Sequence, residues 1–244
     1  MNKPPTPFDV HLKGSFRFDQ QVLFQSLDFS LFSGEWTCLI GVSGVGKSTL
    51  LRLLAGLETG GLFEGNIATS DQSALTGQVA YMAQSDLLLP WRSVSENIAL
   101  GHRLRGQALD QDRLNALIDR VGLSDHQHKK PAALSGGMRQ RAALARTLLE
   151  DTPIVLLDEP FSALDARTRS SMQELSFELL QGKTVLLVTH DPSEAVRLGS
   201  RLYEVTQKGL LEHEIPASQP IRNIDDPMVL ARQAELLLAL RTSN

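Results

Sequence analysis

Eight consecutive residues carry the most direct chemical signal: Gly41-Val42-Ser43-Gly44-Val45-Gly46-Lys47-Ser48, a G-x-x-x-x-G-K-S stretch. Glycines 41, 44 and 46 let the backbone curl without Cβ clashes. Consecutive N–H groups, through Ser43 and Val45 and on to Thr49, can then point into one concavity. A helix beginning there adds roughly half a positive charge at its N-terminus, aimed at the same place. Lys47 is suited to the β- and γ-phosphates of a nucleotide, and the Ser48 hydroxyl to Mg²⁺.

A second piece of chemistry ends an apolar run, Ile154-Val155-Leu156-Leu157-Asp158-Glu159. In a doubly wound parallel sheet, ligands sit at the carboxyl ends of strands, so both acids should fall beside the phosphate loop. Asp158 suits the Mg²⁺ shell. Glu159 suits a general base polarising water against the γ-phosphate.

These residues need a scaffold, and the flanking patterns supply one. Trp36–Ile40 reads as a short apolar strand into the glycine loop, and Thr49 to Gly56 carries leucines at helical spacing. Ile154–Leu157 and Val185–Val188 are continuous apolar runs, as in parallel strands buried on both faces, with a helix over Asp165 to Leu180 between them. Val10 to Phe18 and Val22 to Leu31 alternate apolar and polar residues, as half-buried antiparallel strands do. From about Ser93 to Glu150 the pattern turns helical, with segments at Ser95 to Leu100, Gln111 to Val121 and Gly136 to Leu149. The expectation is one domain over 1–244: an α/β core over about 8–90 and 151–215, an antiparallel β portion at its start, a helical insertion over about 91–150, and a last helix over about 227–240. Residues 1–7, with three prolines, read as a loose tail.

Bulk properties narrow the classes. The 244 residues are 42% hydrophobic and carry a net charge of −4, which argues against a nucleic-acid partner. The single cysteine, Cys38, lies inside a strand and reads as packing. Neither a signal peptide nor a membrane-spanning run is visible, which points to a cytoplasmic location.

Leu134-Ser135-Gly136-Gly137-Met138-Arg139-Gln140 brings a family into view. It resembles the LSGGQ signature of ATP-binding cassette (ABC) ATPases, with Met138 where glutamine is usual. The resemblance spans about residues 8–215 and seven motifs in order. It implies a RecA-like P-loop NTPase fold with ATP and Mg²⁺ as cofactors. A second copy would bind head to tail, each chain offering Ser135, Gly136 and Gly137 to the other's γ-phosphate. It further implies that Gln84 senses Mg²⁺ or attacking water, that Ser162-Ala163-Leu164-Asp165 runs along the dimer interface, and that His190 contacts the γ-phosphate. An aromatic residue should stack on adenine; Phe18 is better spaced for this than Phe16, and both remain candidates. With no membrane span in the chain, the partners would be integral-membrane permease subunits and, indirectly, an extracytoplasmic solute-binding protein, placing the chain peripherally on the cytoplasmic face of the membrane.

Leu87-Leu88-Leu89-Pro90-Trp91-Arg92-Ser93-Val94 resembles the permease-contacting region of nitrate, sulfonate, taurine and thiamine-precursor importers, or is a Pro-broken loop with core leucines. Val79 to Asp86 resembles hydroxymethylpyrimidine precursor importers in particular. Exporter and soluble non-transport ABC ATPases are the alternatives.

Overall fold

The protein's structure, a computed structural model, describes residues 8–206 and 209–242, so the expected tail over 1–7 lies outside the described residues. In chain order these form β1 (Val10–Phe18), β2 (Gln21–Leu31), β3 (Trp36–Ile40), α1 (Lys47–Leu54), β4 (Leu62–Thr69), β5 (Val79–Met82), α2 (Val94–Ile98), α3 (Leu100–Leu104), α4 (Gln111–Arg120) and α5 (Gly136–Leu149). Then come β6 (Ile154–Asp158), α6 (Ala166–Leu179), β7 (Thr184–Val188), α7 (Pro192–Leu198), β8 (Arg201–Thr206), β9 (Gly209–His213) and α8 (Pro227–Thr242).

The chain divides into two compact units. The first holds the residues up to Val79, Thr152–Asp158 and those from Gln181 on. In it β6, β7, β3 and β8 lie side by side in parallel in that order, and β9 adds an antiparallel edge beyond β8. Every residue of β3, β6 and β7 is buried, which is why these strands read as unbroken apolar runs. A second sheet, β2-β1-β4, is antiparallel throughout. The alternation in β1 and β2 turns Leu12, Phe16, Phe24, Leu27 and Phe29 inward. Phe29 meets Tyr203 of β8 edge to face, with ring centroids 5.7 Å apart.

The last helix, α8, buries a single narrow stripe. Val229 and Leu236, seven residues apart and so on one helix face, are buried. Leu230, Leu237 and Leu238 are exposed, because a helix lying on one surface can bury only one stripe.

The second unit comprises Ala80–Asp151 and Glu159–Leu180, a wider span than the helical insertion expected over 91–150. Its segment 87–93 is shaped by Asn97, which is fully buried in α2. The Asn97 side chain accepts from Leu89 N at 2.7 Å and donates to the carbonyls of Leu89, Arg92 and Ser93. Ser93 and Glu96 close a capping box at the start of the same helix. Leu88 is buried, whereas Leu87 and Trp91 project into solvent. Core packing therefore accounts for only part of this leucine run. Replacing Asn97 with alanine orphans the Leu89 N–H and should cost about 1–3 kcal/mol of stability in urea denaturation. An unchanged midpoint would show that the loop holds itself.

Candidate functional site

Within the first unit, register decides what comes together. Leu39 pairs with Val188 and Val188 with Asp158, so β3, β7 and β6 end at one level. Gly41 follows Ile40 there, Asp158 closes β6, and Thr189-His190 follow Val188. Phosphate loop, acid and histidine therefore share the carboxyl edge of one sheet.

The loop itself is wedged. Gly46 has φ +107°, and a Cβ on it would lie 2.5 Å from Phe24 Cζ and 2.8 Å from Leu23 Cδ2, both on β2. A Cβ on Gly41 would lie 2.7 Å from the Val205 carbonyl on β8. Only glycine fits either position. Lys47 is 7% exposed, and its ammonium donates to the carbonyls of Gly41 at 2.7 Å and Val42 at 2.9 Å. Asp158 is 3% exposed, while Ser48 and His190 face solvent.

Helix α1 starts at Lys47, two residues earlier than its leucine spacing suggests. Its N-cap, Gly46, has no side chain to receive the first-turn N–H groups. Helices α2, α4, α5, α6 and α7 each open on a capping side chain: Ser93, Asp110, Ser135, Asp165 and Asp191. The first turn of α1, with Ser48 and Thr49, is thus placed for an anion rather than for a capping side chain.

Two residues beside His190 escaped the sequence reading. Thr189 is buried; its hydroxyl donates to Glu194 Oε2 at 2.6 Å and accepts from Asp191 N at 3.0 Å, fixing the backbone on both sides of the histidine. The signal available was Glu194 three residues past the capping Asp191. Cys38 is fully buried in β3, and burial pushes its thiol pKa far up, so it is an inert packing residue.

The two phenylalanines separate by burial. Phe16 is 1% exposed and belongs to the core, while Phe18 is partly exposed and leans on Phe16 edge to face at 4.9 Å. Of the two rings, Phe18 is the one that solvent reaches.

The second unit gathers another cluster. Glu159 sits in the left-handed region at φ +49°, rare for a residue with a side chain. Gln84 Nε2 donates to Glu159 Oε2 at 3.0 Å. Ser135 caps α5 by accepting from Met138 N, and Asp165 caps α6 by accepting from Thr168 N at 3.0 Å and the Thr168 hydroxyl at 2.7 Å. The Thr168 backbone N–H, then its hydroxyl, hold the Asp165 carboxyl below its usual pKa. Arg139 pairs with Asp86 at 3.0 Å, and Arg146 donates to the carbonyls of Asp86 and Leu87. Two arginines of α5 therefore clamp the segment after Gln84. A cavity of about 420 Å³ lies in this unit, lined by Gln84, Asp86, Gly136, Arg139, Gln140 and Ser162 among others. Sequence reading missed Arg139, Gln140 and Arg146, although all three lie on α5.

A parallel sheet whose strand ends carry a glycine loop, a buried lysine and an acid defines a P-loop NTPase. The family model described as ABC transporter matches residues 24–162. An uncharacterized ABC transporter ATP-binding protein of Haemophilus influenzae is 42% identical over 233 residues, covering 93% of this chain and 95% of that protein. An aliphatic sulfonates import ATP-binding protein of Rhodococcus jostii is 42% identical over 226 residues, covering 91% and 88%. A dimeric ATP-binding cassette in a post-hydrolysis state, bound to ADP and Pi, superposes with a TM-score of 0.71 at 26% identity, covering 88% of this chain and 99% of that one. The chain belongs to the ABC transporter family and is an ATPase.

Phe18→Ala should weaken ATP and GTP binding alike by roughly 1–3 kcal/mol, because stacking reads a ring face and not a base edge. Phe16→Ala should instead cost about 3–5 kcal/mol of folding stability. Titration with a fluorescent nucleotide and thermal unfolding separate the two. A larger affinity loss for a folded Phe16→Ala protein reverses the assignment.

Proposed function

We propose that this chain is the ATP-hydrolysing subunit of an importer, powering uptake of a small organic sulfonate through a separate permease. The observation that carries the reading is the shared strand edge of Gly41–Ser48, Asp158 and His190. Relatives named for aliphatic sulfonate import supply the solute class and favour it over a pyrimidine precursor or an exported solute.

In this reading the N–H groups of Gly41, Ser43, Gly44, Val45, Gly46 and Thr49 and the Lys47 ammonium hold the phosphates, with Phe18 against adenine. Glu159 is the general base, and His190 contacts the γ-phosphate. Mg²⁺ would be held by Ser48, Asp158 and Gln84. The donors fit: a hydroxyl, a carboxylate and an amide carbonyl are all hard oxygen ligands. Among the described residues no group of three or more His, Cys, Asp or Glu is placed to hold a metal ion, and Mg²⁺ usually keeps several waters and phosphate oxygens in its shell. When bound, Mg²⁺ supplies charge neutralisation at the β- and γ-oxygens.

A second copy is the first partner, its Ser135, Gly136, Gly137 and Asp165 facing the nucleotide. Permease subunits would meet the exposed Leu87 and Trp91, on the loop that Asn97 secures. An extracytoplasmic solute-binding protein and a place on the cytoplasmic face of the membrane complete the reading, with no nucleic-acid partner. Among the described residues no helix is long and apolar enough to cross a membrane.

Two experiments test it. Glu159→Gln should trap ATP, so its molar mass by light scattering should approach twice the monomer with ATP and not with ADP. Adding Ser135→Arg should return it to monomer, because a bulky cation occupies the space for the partner's phosphate. Dimers that form equally with ADP, or that survive Ser135→Arg, sink the two-chain site. In cells fed an alkanesulfonate as sole sulfur source, Lys47→Ala should abolish growth; growth at the rate of the native protein removes the import reading.

A further inference from the structure

The Glu159 backbone is held in an unfavourable conformation by contacts that its proposed role leaves unexplained. Its carbonyl oxygen receives three donors: Gln140 Nε2 at 2.9 Å, the Ser162 hydroxyl at 3.0 Å and Ser162 N at 3.3 Å. Gln140 lies on α5, one turn past Ser135-Gly136-Gly137, and is buried. Both ends of its amide are engaged. Oε1 accepts from Ala163 N at 2.7 Å, and Nε2 is shared between Glu159 O and Ser162 Oγ at 3.3 Å. One side chain therefore ties the helix bearing the glycine pair to the turn that carries Glu159.

We propose that Gln140 is a positioning residue for ATP hydrolysis: its amide holds the Glu159 backbone at φ +49°, so that the carboxylate stands where Gln84 reaches it. Residues with side chains persist in this region only where the surroundings over-determine them. With the carbonyl released, the 159–162 turn relaxes toward ordinary backbone and swings the carboxylate off its line. The amide also reports on α5. A shift of that helix pulls directly on the Glu159 carbonyl, so the placement of the base depends on the element that presents Ser135 to Gly137.

The inference rests on Glu159 acting as the base, and the test separates the two. Gln140→Glu keeps size and the acceptor for Ala163 N but sets an oxygen against the Glu159 carbonyl. ATP turnover should fall about 10- to 100-fold, the range for groups that orient a catalytic residue without touching substrate. ATP affinity, read with a fluorescent analogue, should stay within about twofold, since no phosphate contact is altered. In a Glu159→Gln background, Gln140→Glu should lower the residual rate no further, because both changes act through one carboxylate. Losses that multiply in the double variant, or near-native turnover in Gln140→Glu, overturn the proposal. A Glu159→Gln protein with normal turnover overturns the base assignment and this inference with it. A slow Glu159→Gln beside a normal Gln140→Glu overturns this inference alone. If Gln140→Glu does not fold, Ser162→Ala removes a different donor from the same carbonyl at an exposed position. It should slow turnover roughly 2- to 10-fold, and native turnover there overturns the proposal.

Discussion

The parallel register of β3, β7 and β6 is the constraint on which the nucleotide chemistry of the first unit depends. All three strands are buried along their whole length, so none has a solvent face to slide on. A one-residue slip of β6 would carry the Asp158 carboxylate away from its edge position, and an unpaired buried carboxylate costs several kcal/mol. Keeping Leu39, Val188 and Asp158 level is therefore favoured by core packing and by desolvation together. The candidate residues come along without further instruction, because Gly41 follows β3 directly, Asp158 ends β6 and His190 lies two residues past β7.

Backbone shape is the second requirement, and it is met by exclusion. Leu23 and Phe24 on one side and the Val205 carbonyl on the other leave no room for a Cβ at Gly46 or Gly41. The antiparallel sheet thus acts on the loop: β2 presses the glycine backbone into its curl. Lys47 is buried in the result, and an ammonium out of water must have partners. The Gly41 and Val42 carbonyls provide two of them, holding the charge against the backbone of the loop.

Much of this was legible in the residues. Continuous apolar runs gave the buried strands, alternation gave β1 and β2, and G-x-x-x-x-G-K-S placed the loop. What stayed hidden has no period. The division between α2 and α3 at Ala99 follows no hydrophobic pattern, and α8 carries leucines on more than one face, so the sequence could not say that Leu236 is buried and Leu237 is not. Phe16 and Phe18 lie two apart on one strand face and are alike in sequence; only the depth of the sheet separates them. Gln140, Thr189 and Glu194 act through hydrogen bonds to backbone atoms and to one another, and such bonds exist only once the chain is folded.

The two glycine-bearing helix ends differ in a way that bears on when each meets a ligand. Helix α1 opens on a glycine without a capping side chain, a deficit of only about a few tenths of a kcal/mol in an ordinary helix, and its first turn adjoins the loop that Lys47 completes. Such an end gains most from an anion that stays. Helix α5 is closed by Ser135, whose hydroxyl satisfies Met138 N, so it is stable with nothing bound. Gly136 and Gly137, with no side chains of their own, then keep first-turn N–H groups that no helical carbonyl can receive. A capped end with two uncovered donors can approach and leave a phosphate without unravelling. On the two-chain proposal that is the property required, since α1 would keep the nucleotide through the cycle and α5 of the partner chain would meet it only while the copies are together.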